Sequence, residues 1–259
     1  MAPPFRLDLP ERAGKPRRVG LTHVLDKGMP PAQAADALAA CGPYVDVWKF
    51  GWGTAYVDRG IGAKLELLRD HTILGCVGGT LLEVAWAQDR VDEYLSWASD
   101  QGFPCIEVSR GAVPMSLEDK HGLIRRAAAE FVVLSEVGSK NAAERAPSRA
   151  WAEEVAADLR AGAAWVLTEG RESGTVGIYD ETGEVRRDVV AAVADAGGVD
   201  FVVFEAPSKD QQAWFIRRFG PNVNLANIVV TEVLGLETLR LGLRADTMGL
   251  SCPVPTVRR

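Results

Sequence analysis

Cysteine is scarce in this chain. The four residues Cys41, Cys76, Cys105 and Cys252 lie far apart with no CxxC spacing. That argues against a thiolate metal site or a disulfide framework and makes a reducing cytoplasm the expected compartment. No apolar run approaches the roughly 18 residues that a membrane span needs. No lysine and arginine cluster stands out, and a net charge of −6 is spread in both signs along the chain. Neither a membrane nor a nucleic acid is therefore an expected partner. Histidine is equally rare: His23, His71 and His121 share no ligand or triad spacing, and no P-loop or Ser-His-Asp arrangement is visible. His71 and His121 read as surface helix residues, and His23 as a satisfied histidine inside a barrel strand.

Other material is plentiful. Hydrophobic residues make up 47 % of the chain and charged residues 25 %, enough for a sizeable core with a hydrated surface. A length of 259 residues suits one closed α/β barrel, which typically takes about 250. The opening MAPPFRLDLPERAGKPRR is basic and proline-rich with no long apolar stretch behind it. It reads as a loose arm over 1–18 rather than a signal peptide, followed by a single domain over 19–248 and a tail over 249–259.

Within the domain one pattern recurs. A short, β-branched apolar run ends in a polar or charged cluster, and an amphipathic segment follows. The runs are VGLTHVL (19–25), VDVWKF (45–50), TILGCV (72–77), PCIEVS (104–109), FVVLSEV (131–137), AWVLTEG (164–170), DFVVFEA (200–206) and NVNLANIVV (222–230). They start roughly 22 to 36 residues apart, the size of one strand–helix unit. Between them, Ser208 with Gln211 and Ser116 with Asp119 mark helix starts. Trp151, Val155 and Leu159 recur at i, i+4 and i+8, and Gly42, Gly102, Gly162, Gly197 and Gly220 fall where helices should stop. Strand–helix alternation implies a parallel sheet, and eight units favour closure into a (β/α)8 TIM barrel over an open doubly wound sheet. The polar connection over 171–188 reads as an active-site loop or as a surface turn around Asp180–Gly183.

In such a barrel the chemistry sits where strands end. There the chain carries Lys27, Lys49, Gly78-Gly79-Thr80, Glu107 with Arg110, Glu136 with Lys140, Glu169 with Arg171 and Glu172, Glu205 with Lys209, and Asn224 with Asn227. Crowded ionisable groups strain one another unless a metal or charged substrate sits among them. Glu107, Glu136 and Glu169 end three successive strands, so their carboxylates can converge on a hard cation such as Mg²⁺ or instead form structural ion pairs with neighbouring bases. Lys27, Lys49, Lys140, Arg171 and Lys209 suit a polyanionic substrate or serve to neutralise glutamates. The amides of Gly79 and Thr80 offer an oxyanion cradle at a helix start, although Gly-Gly is also common in plain turns.

The strings GLTHVLDKG, VDVWKFGWGT, GGTLLE, GFPCIEVSRG, LSEVGSK, TEGRESGTVGI, FEAPSKDQQ, VNLANI and LETLRLGLRADT resemble the phosphosulfolactate synthases of coenzyme M biosynthesis, from about Gly20 to Thr247. Plant heat-stress-associated proteins are relatives of that family. The resemblance implies a Mg²⁺-dependent barrel enzyme that adds sulfite to phosphoenolpyruvate; barrels commonly associate through their outer helices, so a homo-oligomer in the cytoplasm is expected. In that reaction the metal stabilises an enediolate and a lysine, here Lys140, delivers a proton. Lys27, Lys49, Gly79, Thr80, Arg110, Arg171, Lys209 and Asn224 are then expected around the anions, with Glu107, Glu136 and Glu169 on the metal. Three positions depart from the family pattern: Arg110 stands for an aspartate, His23 for an apolar residue and Ala226 for a glycine. Arg110 keeps open a related enzyme with another nucleophile or acceptor, and the plant relatives keep open a non-catalytic stress-associated protein.

Overall fold

The computed structural model describes residues 5–139 and 146–251. Eight parallel strands close into a barrel in strict chain order: β1 Thr22–Asp26, β2 Val47–Phe50, β3 Leu74–Val77, β4 Cys105–Val108, β5 Val132–Val137, β6 Trp165–Thr168, β7 Val202–Glu205 and β8 Asn224–Ile228. The helices are α1 Pro31–Cys41, α2 Thr54–Val57, α3 Ile61–Asp70, α4 Gly79–Ala87, α5 Val91–Gln101, α6 Leu117–Ala127, α7 Ser148–Ala161, α8 Arg187–Gly197, α9 Lys209–Phe219 and α10 Val233–Arg240. The fold is the (β/α)8 TIM barrel that the eight apolar runs predict.

Local signals act where the chain places them. Ser208 and Gln211 form a reciprocal capping box at the start of α9, and the Ser116 hydroxyl accepts from the Asp119 amide at the start of α6. Gly102 and Gly162 end α5 and α7 in left-handed backbone. Trp151 and Val155 are buried, and Leu159 packs partly buried against the core.

Two apolar layers result from the two-residue period of strands. Outward side chains such as Trp48, Phe50, Ile106, Val133 and Phe204 pack under the helices. Inside the barrel Leu21, Val47, Cys76, Cys105, Leu134, Leu167, Val203 and Ala226 form a separate plug, one residue from each strand or its immediate approach. Two residues further along five of these strands stand Lys49, Glu107, Glu136, Glu169 and Glu205, so a charged layer lies directly above an apolar one.

The arm over residues 5–18 is tied down rather than loose. Arg12 binds Glu237, Asn222 Oδ1 and the Gly20 carbonyl; Lys15 donates to the Gly42 and His71 carbonyls; and Arg17 pairs with Asp46. All these contacts lie at the N-terminal face of the barrel, opposite the strand ends.

Candidate active site

At the C-terminal mouth a cavity of about 410 Å³ is lined by Lys49, Thr80, Glu107, Glu136, Glu169, Arg171, Glu172, Glu205 and Asn227, among others. At its centre is the Lys49 ammonium, 2.7 Å from Glu107 Oε2, 3.7 Å from Glu136 Oε2 and 3.8 Å from Glu205 Oε1. Burial opposes the Lys49 charge, yet the three carboxylates more than offset it and hold the amine well above the usual lysine value. Burial also pushes Glu107 up, against the pull of Lys49, and pushes Glu205 up to about 7.

Backbone amides fix the carboxylates. Gly79 N donates to Glu107 Oε1 at 2.9 Å, Gly170 N to Glu205 Oε2 at 2.8 Å and Arg171 N to Glu169 Oε1 at 2.7 Å. The Gly79 amide that reads as a substrate cradle therefore holds a protein glutamate. Glycine is required there because a Cβ would collide with Ser109 Oγ. Gly177, at φ +66°, matters similarly: a Cβ would collide with the Glu169 carbonyl, which accepts from Ile178 N. The 171–188 connection is thus folded onto the site, with Arg171, Glu172 and Ser173 in the lining.

Three lining residues without glycine's freedom adopt left-handed backbone: Trp52 at φ 53°, Arg171 at 54° and Asn227 at 58°. Such strain concentrates where side-chain aim matters. At Asn227 its origin is visible. Strand β1 pairs Thr22 with Leu225 but Val24 with Ile228, so β8 carries one extra residue. That bulge turns Asn227 into the cavity, where its buried Oδ1 accepts no hydrogen bond among the described residues.

Asn227, and not the expected Asn224, is the asparagine that reaches the mouth. Asn224 begins β8 at the opposite end, where its carboxamide accepts from Leu21 N and donates to the Val199, Asp200 and Val202 carbonyls. Three further expected substrate residues, Arg110, Lys209 and Lys27, lie outside the lining. Arg110 forks onto Glu154 at 3.2 and 2.9 Å, and Lys209 pairs with Asp210 and Asp246 beside α9. Lys27 sits on the rim, paired with Glu172 and 6.0 Å from the Trp52 ring. Lys140 lies outside the described residues. Glu205 ends its run by the same rule as the other glutamates, whereas nothing in residue order signals the bulge at Asn227.

Glu107, Glu136 and Glu169 share the cavity, but among the described residues no three metal-ligating acids, histidines or cysteines form a group poised to hold an ion. The donor chemistry nevertheless fits a hard divalent cation. Among the described residues the metal-ligating atoms of the lining are all oxygens, including the neutral Asn227 Oδ1, which has no partner among those residues. Its described part is also rich in carboxylates, with Glu107, Glu136, Glu169 and Glu205 around Lys49 and Arg171, while Glu172 is paired with Lys27.

Solved structures share the architecture. The chain superposes on the YdjI aldolase of Escherichia coli K12 with TM-score 0.56 at 14 % identity, covering 90 % of this chain and 89 % of that one. The match to 3-hexulose-6-phosphate synthase of Salmonella typhimurium has TM-score 0.55 at 12 % identity, covering 89 % and 94 %. Identities this low carry the fold alone. No helix among the described residues is long and apolar enough to cross a membrane. Sequence relatives are far nearer. A phosphosulfolactate synthase of Methanothermobacter thermautotrophicus is 46 % identical over 93 % of this chain and 95 % of its own, and one of Bacillus subtilis is 43 % identical over 95 % and 99 %. Heat-stress-associated 32 of Arabidopsis thaliana is 23 % identical over 89 % and 88 %. The family model for (2R)-phospho-3-sulfolactate synthase (ComA) matches residues 10–246, and with the identities above this means that the chain belongs to the phosphosulfolactate synthase family of enzymes.

Proposed function

We propose that this enzyme joins sulfite to phosphoenolpyruvate in a Mg²⁺-dependent addition that gives 2-phospho-3-sulfolactate. The sulfur lone pair forms a bond to the methylene carbon. The alkene electrons move toward the carboxylate as an enediolate, and a proton is then delivered to the phosphate-bearing carbon. No group leaves, so the product contains every atom of both substrates plus that proton.

The observation that carries the reading is the charged layer itself. Lys49, held protonated by Glu107, Glu136 and Glu205, is a fixed buried cation at the cavity floor, and Arg171 offers a second at the rim. Preorganised positive charge of this kind stabilises an oxyanion without reorganising at the moment of reaction. Two anionic substrates entering a lining rich in glutamate call for a further cation. Mg²⁺, when bound, supplies Lewis-acid stabilisation of carboxylate charge; of the three expected ligands Glu136 and Glu169 would hold it, with Asn227 in place of Glu107, whose two oxygens are taken by Lys49 and the Gly79 amide. The proton-donor role falls to Lys140 on its motif alone. A changed acceptor chemistry finds little support, because Arg110 pairs with Glu154 and lies outside the lining of the mouth cavity. A non-catalytic role sits poorly with the charged layer and with the higher identity to the synthases.

The test is direct. Purified protein with phosphoenolpyruvate, sulfite and Mg²⁺ should yield a new phosphate monoester by ³¹P NMR. Lys49→Met should lower kcat/KM by about 10²- to 10³-fold. Consumption of neither substrate by the wild-type chain would overturn the reading.

A further inference from the structure

Lys120, on α6, is 0 % exposed and lies in the layer outside the barrel. All three of its ammonium protons are directed: Nζ donates to the Glu136 carbonyl at 2.8 Å, to Glu154 Oε1 at 2.8 Å and to Asp158 Oδ2 at 2.6 Å. Glu154 and Asp158 stand four apart on one face of α7. Ser135 Oγ donates to Asp158 Oδ2 at 2.6 Å, His121 Nε2 lies 3.1 Å from Asp158 Oδ1, and Arg110 closes the cluster on Glu154.

One of these bonds is out of the ordinary for a core ion cluster. Pairing of β4 with β5 ends at Val108 and Ser135. The carbonyl of Glu136 lies one residue beyond that last pair, and Lys120 takes it. The same residue sends its side chain inward to 3.7 Å from Lys49. Lys120 therefore holds, from outside the barrel, the backbone that sets the height and direction of a cavity carboxylate. Through α7 it also braces that strand end against two helices.

We infer that Lys120 is a positioning residue for the reaction, tethering the end of β5 through the Glu136 carbonyl so that the Glu136 carboxylate is held beside Lys49. This rests on the proposal that the mouth cavity is where sulfite and phosphoenolpyruvate react. It gives Arg110 a place as well, as the outer partner of Glu154 in the tether rather than as a substrate ligand. Misplacing a reacting group by about 1 Å from a distance can slow a reaction by about 10²-fold.

The experiment compares two variants below their melting temperatures. Lys120→Met combined with Glu154→Gln and Asp158→Asn removes the tether without leaving buried carboxylates unpaired. Ser135→Ala removes a hydrogen bond to Asp158 in the same cluster but spares the Glu136 carbonyl. We expect the triple variant to lose 10- to 100-fold in kcat with KM within about threefold of wild type, and Ser135→Ala to keep its kcat. A folded triple variant with kcat within twofold of wild type overturns the inference, as does an equal kcat loss in Ser135→Ala. If the wild-type chain turns over neither substrate, the functional proposal fails on its own, and crystal structures then decide about Lys120. A Lys49–Glu136 separation changed by more than about 1 Å in the triple variant supports the tether, and an unchanged one overturns it.

Discussion

His23 departs from the satisfied histidine that its place in a strand suggests. It is 1 % exposed and registers against Val47, in the apolar layer beneath Lys49, and neither ring nitrogen has a hydrogen-bond partner among the described residues. Burial, reinforced by the Lys49 charge, lowers its pKa from 6.5 to about 3. The imidazole is therefore neutral in the folded chain, while the unfolded chain takes up a proton as pH falls through 6.5. Between 6.5 and about 3 the unfolded state binds more protons, so stability declines with falling pH by up to about 1.4 kcal/mol per unit. His23→Leu should remove that contribution, giving a shallower loss of denaturant stability across this window. It should also raise stability at pH 7 by about 1–2 kcal/mol, since an unpaired polar group leaves the core. Identical slopes in the two proteins would show that the imidazole is not held neutral. The contrast with the glutamates explains what could be read at this scale. Glu107, Glu136, Glu169 and Glu205 follow from one rule, a charge two residues beyond an inward apolar side chain. Whether His23 finds a partner depends on residues far away in the chain, which residue order does not display.

Strands and helices were more legible than single side chains, because each carries its own signals: apolar runs, the Ser208 capping box, and glycines past α5 and α7. The exception is β8. Regular alternation would put Asn227 on the face opposite Asn224 and Ala226, yet the bulge turns it into the cavity, while Asn224 lies at the other end of the strand. Asn224 is 0 % exposed and joins the start of β8 to the approach to β1 and to the α8–β7 connection. Asn224→Ala leaves those groups unpaired in the core and should cost about 2–3 kcal/mol of unfolding free energy, with kcat and KM unchanged. A raised KM with unchanged stability would return Asn224 to the substrate site. The 171–188 connection admitted two readings from its composition, and both halves of it have a place. Its first residues line the cavity, while Tyr179 bridges to Val185 in the turn beyond and sends its hydroxyl to the Glu205 carbonyl at 2.5 Å.

On the scale of the molecule, the barrel separates stability from chemistry along its axis. The charged layer faces the mouth, and the arm over residues 5–18 covers the other end. A basic, proline-rich segment without apolar periodicity gives no sign of docking, because its partners Asp46, Asn222 and Glu237 are brought together only when the barrel closes. Arg12 and Arg17 are the anchors. Their side chains are only 9 % and 6 % exposed, and their partners Glu237 and Asp46 are equally buried. Burial already raises the Asp46 pKa, with Arg17 opposing. Removing either arginine strands a buried carboxylate, which typically costs about 3–5 kcal/mol. Arg12→Ala and Arg17→Ala should therefore each lower the melting temperature by several degrees, whereas kcat and KM, measured well below that temperature, should match the wild-type chain. If either variant loses turnover while remaining folded, the two ends of the barrel are coupled, and the separation of scaffold from site along the axis does not hold.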